Sequence, residues 1–90
     1  MSIELTDIQV KKLDEEDKMV DFAIKCTVTN NSDEEDYIEI MIQGLDEDGF
    51  EVYMIDFYEK IPIGKSKVLT TRETYVKRKI FKSIVKWQLK

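Results

Sequence analysis

Residues 20–29, VDFAIKCTVT, decide the fold class of this chain. Apolar side chains recur at every second position, and mostly polar side chains separate them; the apolar set is Val20, Phe22, Ile24, Cys26 and Val28. A period of two is typical of a β-strand that buries one face in a core and turns the other toward solvent. Residues 30–33, NNSD, end the pattern, because Asn, Ser and Asp favour turns.

Further strands are predicted on the C-terminal side of this stretch. Residues 37–45 form an Ile-rich run, and residues 46–49 then have the composition of a tight hairpin, in which Gly49 is free to adopt a positive φ. Additional strands are expected over residues 50–57, 65–73 and 85–89, and Trp87 is expected to point inward in the last of them.

Two irregularities are predicted. Ile3 and Leu5 keep one strand phase, whereas Ile8 and Val10 keep the other, which predicts a bulge between them at Thr6-Asp7. The apolar and basic residues near the C-terminal end predict a short helical turn over residues 74–82, with Thr74 as its N-cap.

Regularly spaced strands joined by short turns favour an all-β fold over a parallel sheet with helices. The sequence therefore predicts an immunoglobulin-like antiparallel β-sandwich of about six to seven strands with one short helical turn. The 90 residues are expected to form a single domain.

The central turns also resemble a known family. Residues 42–49, IQGLDEDG, align with the F-x-L-Y-D-x-x-G stretch of the bacterial FxLYD-type domains, with Asp46 and Gly49 in common and Ile42 and Leu45 as apolar replacements. The later Pro62-Ile63-Gly64 is similar to that family's Pro-Gly turn. The resemblance implies a small immunoglobulin-like sandwich that serves as a binding or spacer module and carries no catalytic residues.

Composition argues against most catalytic chemistry. The chain has no histidine and one cysteine, Cys26, so neither a Ser-His nor a Cys-His nucleophile pair, nor a closed zinc site, can be assembled from it. Cys26 lies on the apolar face of its strand, where a buried core role is expected. We therefore expect a protein that is not an enzyme and that needs no cofactor.

Targeting signals are not evident in the sequence. The N-terminal residues lack the pattern of a secretory signal, and no apolar run approaches the ~20 residues of a membrane span. A cytoplasmic location is expected for the chain as written, and a secreted or cell-surface location if it is a fragment of a longer protein. The sequon at Asn30-Asn31-Ser32 is interpreted as turn chemistry.

Charge is divided unevenly along the chain. Residues 1–59 hold 18 acids and 4 bases, whereas residues 60–90 hold 10 bases and a single acid, Glu73. Either the two parts neutralise each other in the folded protein, or they form a bipolar surface that attracts a charged partner.

The charged clusters give two further hypotheses. Acidic residues gather at 14–17, 33–36 and 46–48, and such loops could supply oxygen ligands for a Ca²⁺ site. The basic residues near Tyr75, Phe81 and Trp87 are of a kind found in single-strand nucleic-acid sites. No nucleic acid is expected as a partner, because the net charge of −5 repels a polyanion.

The second face of the central strands is the candidate functional surface. It is predicted to include Tyr37, Met41, Tyr53 and Tyr58, more apolar area than a one-sided core needs. This surface could bind a partner protein or a second copy, or residues 75–82 could fold over it. The predicted function is a non-catalytic binding or assembly module acting through protein–protein contacts; the alternative is an accessory domain with a Ca²⁺ site in its acidic loops.

Overall fold

The computed structural model describes residues 3–90 as six strands and one helix in two layers. In chain order these are β1 (Ile3–Glu15), β2 (Met19–Asn30), β3 (Tyr37–Leu45), β4 (Glu51–Lys60), β5 (Ser66–Lys77), α1 (Arg78–Ser83) and β6 (Lys86–Leu89). Antiparallel pairing gives two sheets with strand orders β1-β2-β5 and β4-β3-β6. The predicted all-β sandwich is confirmed.

The core lies between the two central strands, β2 and β3. Every second residue of each points inward, and the side chains of Phe22, Ile24, Ile40 and Ile42 are fully buried. Burying each of these large apolar side chains contributes about 1.5–3 kcal/mol relative to leaving it in water. The alternation in the sequence thus sets which face of each sheet meets the other.

The predicted bulge in β1 is confirmed. Its pairing with β2 shifts between Thr6 and Gln9, and Asp7 adopts a φ of 54°. The extra residue changes the phase of the strand, so that both Leu5 and Ile8 pack against the core. Without the bulge, one of these side chains would face solvent.

The predicted start of the helical turn is wrong. Residues 74–77 continue β5, and α1 begins at Arg78 after Lys77, which makes no side-chain capping hydrogen bond. Val76 pairs with Val20 and is buried, so packing in the sheet outweighs the local capping preference of Thr74. Tyr75 adopts a φ of 60° at the register shift that turns Val76 inward.

The helix closes one end of the space between the sheets. The ring of Phe81 lies 4.9 Å from that of Phe22, and Trp87 of β6 lies 5.7 Å from the same ring. The predicted inward orientation of Trp87 is confirmed. Ile80 packs against the same cluster, so α1 contributes its apolar residues to the core.

The turn at residues 46–49 is a hairpin, as predicted. Gly49 adopts a φ of 83°, and its N–H donates to the carbonyl of Asp46. A carboxylate oxygen of Asp46 accepts hydrogen bonds from the backbone N–H groups of Asp48 and Phe50. Asp46, one of the two residues in common with the FxLYD-type stretch, therefore stabilises the turn itself.

Asn30 is a fully buried polar residue at the other end of the sandwich. Its side-chain amide donates to the carbonyls of Glu35 and Ile61 at 2.7 and 2.8 Å, and its side-chain oxygen accepts from the N–H of Ser32. Asn30 thus ties the end of β2 to the loop before β3 and to the turn before β5. The interpretation of this sequon as turn chemistry is confirmed, because both amide donors are engaged in internal hydrogen bonds.

Candidate functional site

The outward side of the sheet β4-β3-β6, called the outer face below, carries the side chains that do not enter the core. Cross-strand pairing places Glu39 beside Tyr58, Met41 beside Asp56, and Gln43 beside both Met54 and Gln88. Tyr37 lies at one end of this face, where β3 begins. The register therefore produces a surface that mixes aromatic, thioether and acidic groups.

The aromatic part of the outer face is a stacked pair. The rings of Tyr37 and Tyr58 lie 6.0 Å apart with an interplanar angle of 20°. They remain 62% and 58% exposed, so the stacking leaves most of their surface in water. Large aromatic side chains held against one another lose little conformational entropy when a partner covers them, which favours binding.

Tyr53 does not share this face with Tyr37, Met41 and Tyr58. It points between the sheets, with its ring 6.1 Å from Phe22 and 6.2 Å from Trp87. Its hydroxyl donates to the carboxylate of Glu73 at 3.0 Å. Burial, reinforced by this hydrogen bond, raises the pKa of Tyr53 to about 12.

The position of Tyr53 follows from where the irregularity in β4 falls, which is before this residue. Gly44 pairs with Tyr53 and Leu45 pairs with Glu51, so Val52 is an extra residue in the ladder. The bulge lies before Tyr53, and the regular alternation of β4 from Tyr53 onward places Tyr53 on the inner side with Ile55 and Phe57. The sequence shows the phase change but not the residue at which it occurs.

The hypothesis that residues 75–82 cover the outer face is wrong. Phe81 and Ile80 pack on the cluster around Phe22, which lies on the opposite side of the sheet from Tyr37 and Tyr58. The outer face thus stays open to solvent along its aromatic end.

Two acids that the sequence did not single out give the centre of this face its electrostatic character. The hydrogen bond to Asp56 raises the pKa of Glu39, because the bond favours the protonated carboxyl. The negative charge on Glu39 in turn raises the pKa of Tyr58. Lys60 pairs with Tyr37 across the strands, so the tyrosine pair lies among two acids and one base, and the net negative charge favours a cationic group on any partner.

A polar network occupies the other end of the outer face. Gln88 donates to the side chain of Gln43, which donates to Glu51 at 2.9 Å, and Lys90 pairs with Glu51 at 3.3 Å. The Gln43 hydrogen bond, followed by Lys90, lowers the pKa of Glu51. Because these polar side chains are hydrogen-bonded or ion-paired to one another, the aromatic end is the part of the outer face whose side chains remain available to a partner.

The uneven charge of the chain is partly neutralised in the fold. Four of the ion pairs join a base of residues 60–90 to an acid of residues 1–59: Lys67–Glu59, Arg72–Asp21, Arg78–Glu15 and Lys90–Glu51. These pairs are partly exposed, so solvent and salt screen them and each contributes little to stability.

Geometry for metal or thiol chemistry is not found within residues 3–90. No three His, Cys, Asp or Glu side chains in this range converge as a metal site, which gives the Ca²⁺ hypothesis no geometric support. Asp36 and Asp46, from two of the acidic clusters, accept hydrogen bonds from turn backbone. Cys26 is 1% exposed, and burial raises the pKa of its thiol.

The helix in the described range, α1, is too short and too polar to cross a membrane.

Comparisons of the chain with protein-family models, curated proteins and solved structures gave no match in any of the three. The FxLYD-type resemblance therefore stays a hypothesis.

Proposed function

We propose that this protein is a non-catalytic binding or assembly module that acts through protein–protein contacts on the outer face of the sheet β4-β3-β6. The observation that carries the proposal is the stacked and exposed pair Tyr37–Tyr58 on a sheet face that α1 leaves uncovered. Tyrosine and methionine are enriched at protein interfaces, and Met41 and Met54 lie on the same face.

The chemistry around the tyrosines limits the kind of partner. Glu39 and Asp56 place negative charge next to the exposed rings, so a partner with Lys or Arg gains both an ion pair and a cation–π contact. A second copy would bring the acids of both copies together if the two-fold axis passed through the tyrosine pair. A different protein with a basic surface is therefore the favoured partner.

The test compares a double substitution on the face with a matched substitution elsewhere. Tyr37→Ser with Tyr58→Ser removes the stacked pair, whereas Phe50→Ser removes another exposed aromatic side chain from the hairpin at the end of β3. Both variants are expected to keep the fold, which circular dichroism checks, because these rings lie outside the core.

The expected result is that proteins retained from cell extract by the immobilised wild type and by Phe50→Ser are lost by the tyrosine variant. Light scattering after size exclusion, up to about 1 mM protein, reports self-association in the same variants. If neither retention nor self-association depends on Tyr37 and Tyr58, the proposed function is refuted.

We also propose that the sandwich is immunoglobulin-like and distantly related to the FxLYD-type domains. The orders β1-β2-β5 and β4-β3-β6 support this, because immunoglobulin sheets pair strands A-B-E in one layer and C-F in the other. In that correspondence β3 and β6 stand for C and F, and β4 stands for C′. Such domains present binding surfaces on sheet faces and edges, which agrees with the proposed role.

A further inference from the structure

One half of the edge of β3 lacks a neighbouring strand within residues 3–90. β4 pairs with β3 from Tyr37 to Leu45, but β6 pairs only with residues 42–45. The carbonyls of Met41 and Leu45 accept hydrogen bonds from the β6 side, from Lys90 and Val85. Because backbone groups alternate along a strand, those of Tyr37 and Glu39 point to the same, unpaired edge.

A cleft of about 290 Å³ lies along this free edge. It is lined by Ile3 of β1, by Ile38 and Glu39 of β3, and by residues 32–35 of the loop before β3. Ile3 and Leu5 are only half-buried, in contrast to the fully buried residues of β2. The edge thus combines unpaired backbone groups with an incompletely covered apolar floor.

The walls of the cleft are strongly acidic. Asp33, Glu34, Glu35 and Glu39 line it, and none of these four carboxylates forms an ion pair with any other residue of the described range. Exposed strand edges invite pairing with an added strand, and side-chain pockets then set which sequence is accepted. The charge here selects a basic segment over an acidic one.

We propose that the free edge of β3 binds an extended segment of a partner protein in which basic and apolar residues alternate. This inference rests on the proposed binding role and names its partner class. The added strand continues the line of β6. Its residue opposite Ile38 points inward over Ile3, where the cleft has room for an apolar side chain. Its residues opposite Tyr37 and Glu39 point outward, where Lys or Arg meets the acids and the stacked rings.

The test measures binding of a fluorescein-labelled peptide of alternating Lys and Val by fluorescence polarisation. A peptide with Glu in place of every Lys serves as the matched control. Wild-type protein is expected to bind the basic peptide, more weakly at higher salt because exposed charges are screened, and not the acidic peptide. If the wild type does not bind the basic peptide, the inference is overturned.

Charge reversal locates the site. Glu34→Lys with Glu35→Lys is expected to weaken binding of the basic peptide about tenfold or more, because four units of charge change at the cleft. Glu47→Lys with Asp48→Lys makes the same change in the hairpin at the opposite end of β3 and is expected to have little effect. Equal weakening by both pairs would indicate attraction by net charge alone and would overturn the inference.

N-methylation of the peptide tests the strand pairing without altering the protein. Methyl groups on the amides of one alternate set of residues are expected to abolish binding, whereas methyl groups on the other set are tolerated, because only one set faces β3. If both sets behave alike, strand addition is refuted.

The two proposals can fail separately. If retention from extract does not depend on Tyr37 and Tyr58 but the basic peptide still binds, only the outer-face contact is refuted. If retention depends on these tyrosines but the basic peptide does not bind, only the strand addition is refuted.

Discussion

Replacing Asn30 with alanine tests how the two turns at the acidic end of the sandwich are held. The change removes two amide donors and one acceptor from a site with 0% exposure. The carbonyl of Ile61 loses its partner in a buried position, and the carbonyl of Glu35 and the N–H of Ser32 lose theirs in part-buried positions. The first of these groups has no route to water, whereas the other two can be partly rehydrated.

The expected loss follows from this difference in burial. A buried polar group left without a partner costs about 1–3 kcal/mol, and the part-buried groups fall at or below the lower limit. We therefore expect Asn30→Ala to lower the free energy of unfolding by about 3 kcal/mol, a large share of the total for a small domain. The melting temperature should fall by about 12–24 °C, since 1 kcal/mol corresponds to about 4–8 °C at this size.

Urea unfolding followed by circular dichroism measures the effect. Asn31→Ala is the matched control, because Asn31 is the next residue and is exposed, so its replacement should change stability by less than about 0.5 kcal/mol. Asn30→Asp adds a diagnostic pH dependence. Burial raises the pKa of the new carboxyl, so protonation favours the folded state, and the deficit relative to wild type should shrink as the pH falls. A loss below about 1 kcal/mol for Asn30→Ala would refute the reasoning.

Three further predictions concern single side chains. The thiol of Cys26 should react with an aromatic disulfide reagent only in denaturant, because it is buried and its pKa is raised; reaction in the native protein would contradict this. Glu39→Gln should raise the melting temperature at neutral pH by removing repulsion from Asp56, and this gain should vanish as the pH falls through the raised pKa of Glu39, where wild type is protonated too. Tyr75→Gly should stabilise the protein by about 1 kcal/mol in urea unfolding, because Tyr75 is exposed at a φ of 60°; a loss of stability would show that its ring makes compensating contacts.

Local patterns predicted the parts of the fold that depend on side-chain alternation. The burial of Phe22 and Ile24, the inward position of Trp87 and the bulge near Asp7 all follow from which residues can leave water. A strand with one buried face must keep its phase or shift it by one residue, and both outcomes are visible in the order of apolar residues.

The errors arise where pairing between strands outweighs local preference. Thr74 has the chemistry of a helix N-cap, but burial of Val76 against Val20 keeps this segment in β5. The phase change in β4 occurs at Val52, before Tyr53, so Tyr53 keeps the phase of Ile55 and lies in the core, whereas Tyr58 has the opposite phase. In the first case the deciding contact comes from a strand far away in the sequence, and in the second it comes from the neighbouring strand of the hairpin.

The free edge of β3 illustrates the same limit for function. The sequence shows that β3 is apolar on both faces, which directs attention to its outer side chains. Whether its edge is occupied depends on where β6 pairs, and β6 covers residues 42–45 and leaves Glu39 beside an acidic loop. An acidic cluster in sequence is compatible with a solvated loop, a metal site or a peptide cleft. Only the unpaired backbone next to these carboxylates favours the last, because a strand edge offers N–H donors as well as carbonyl acceptors, and a metal ion can use only the carbonyls.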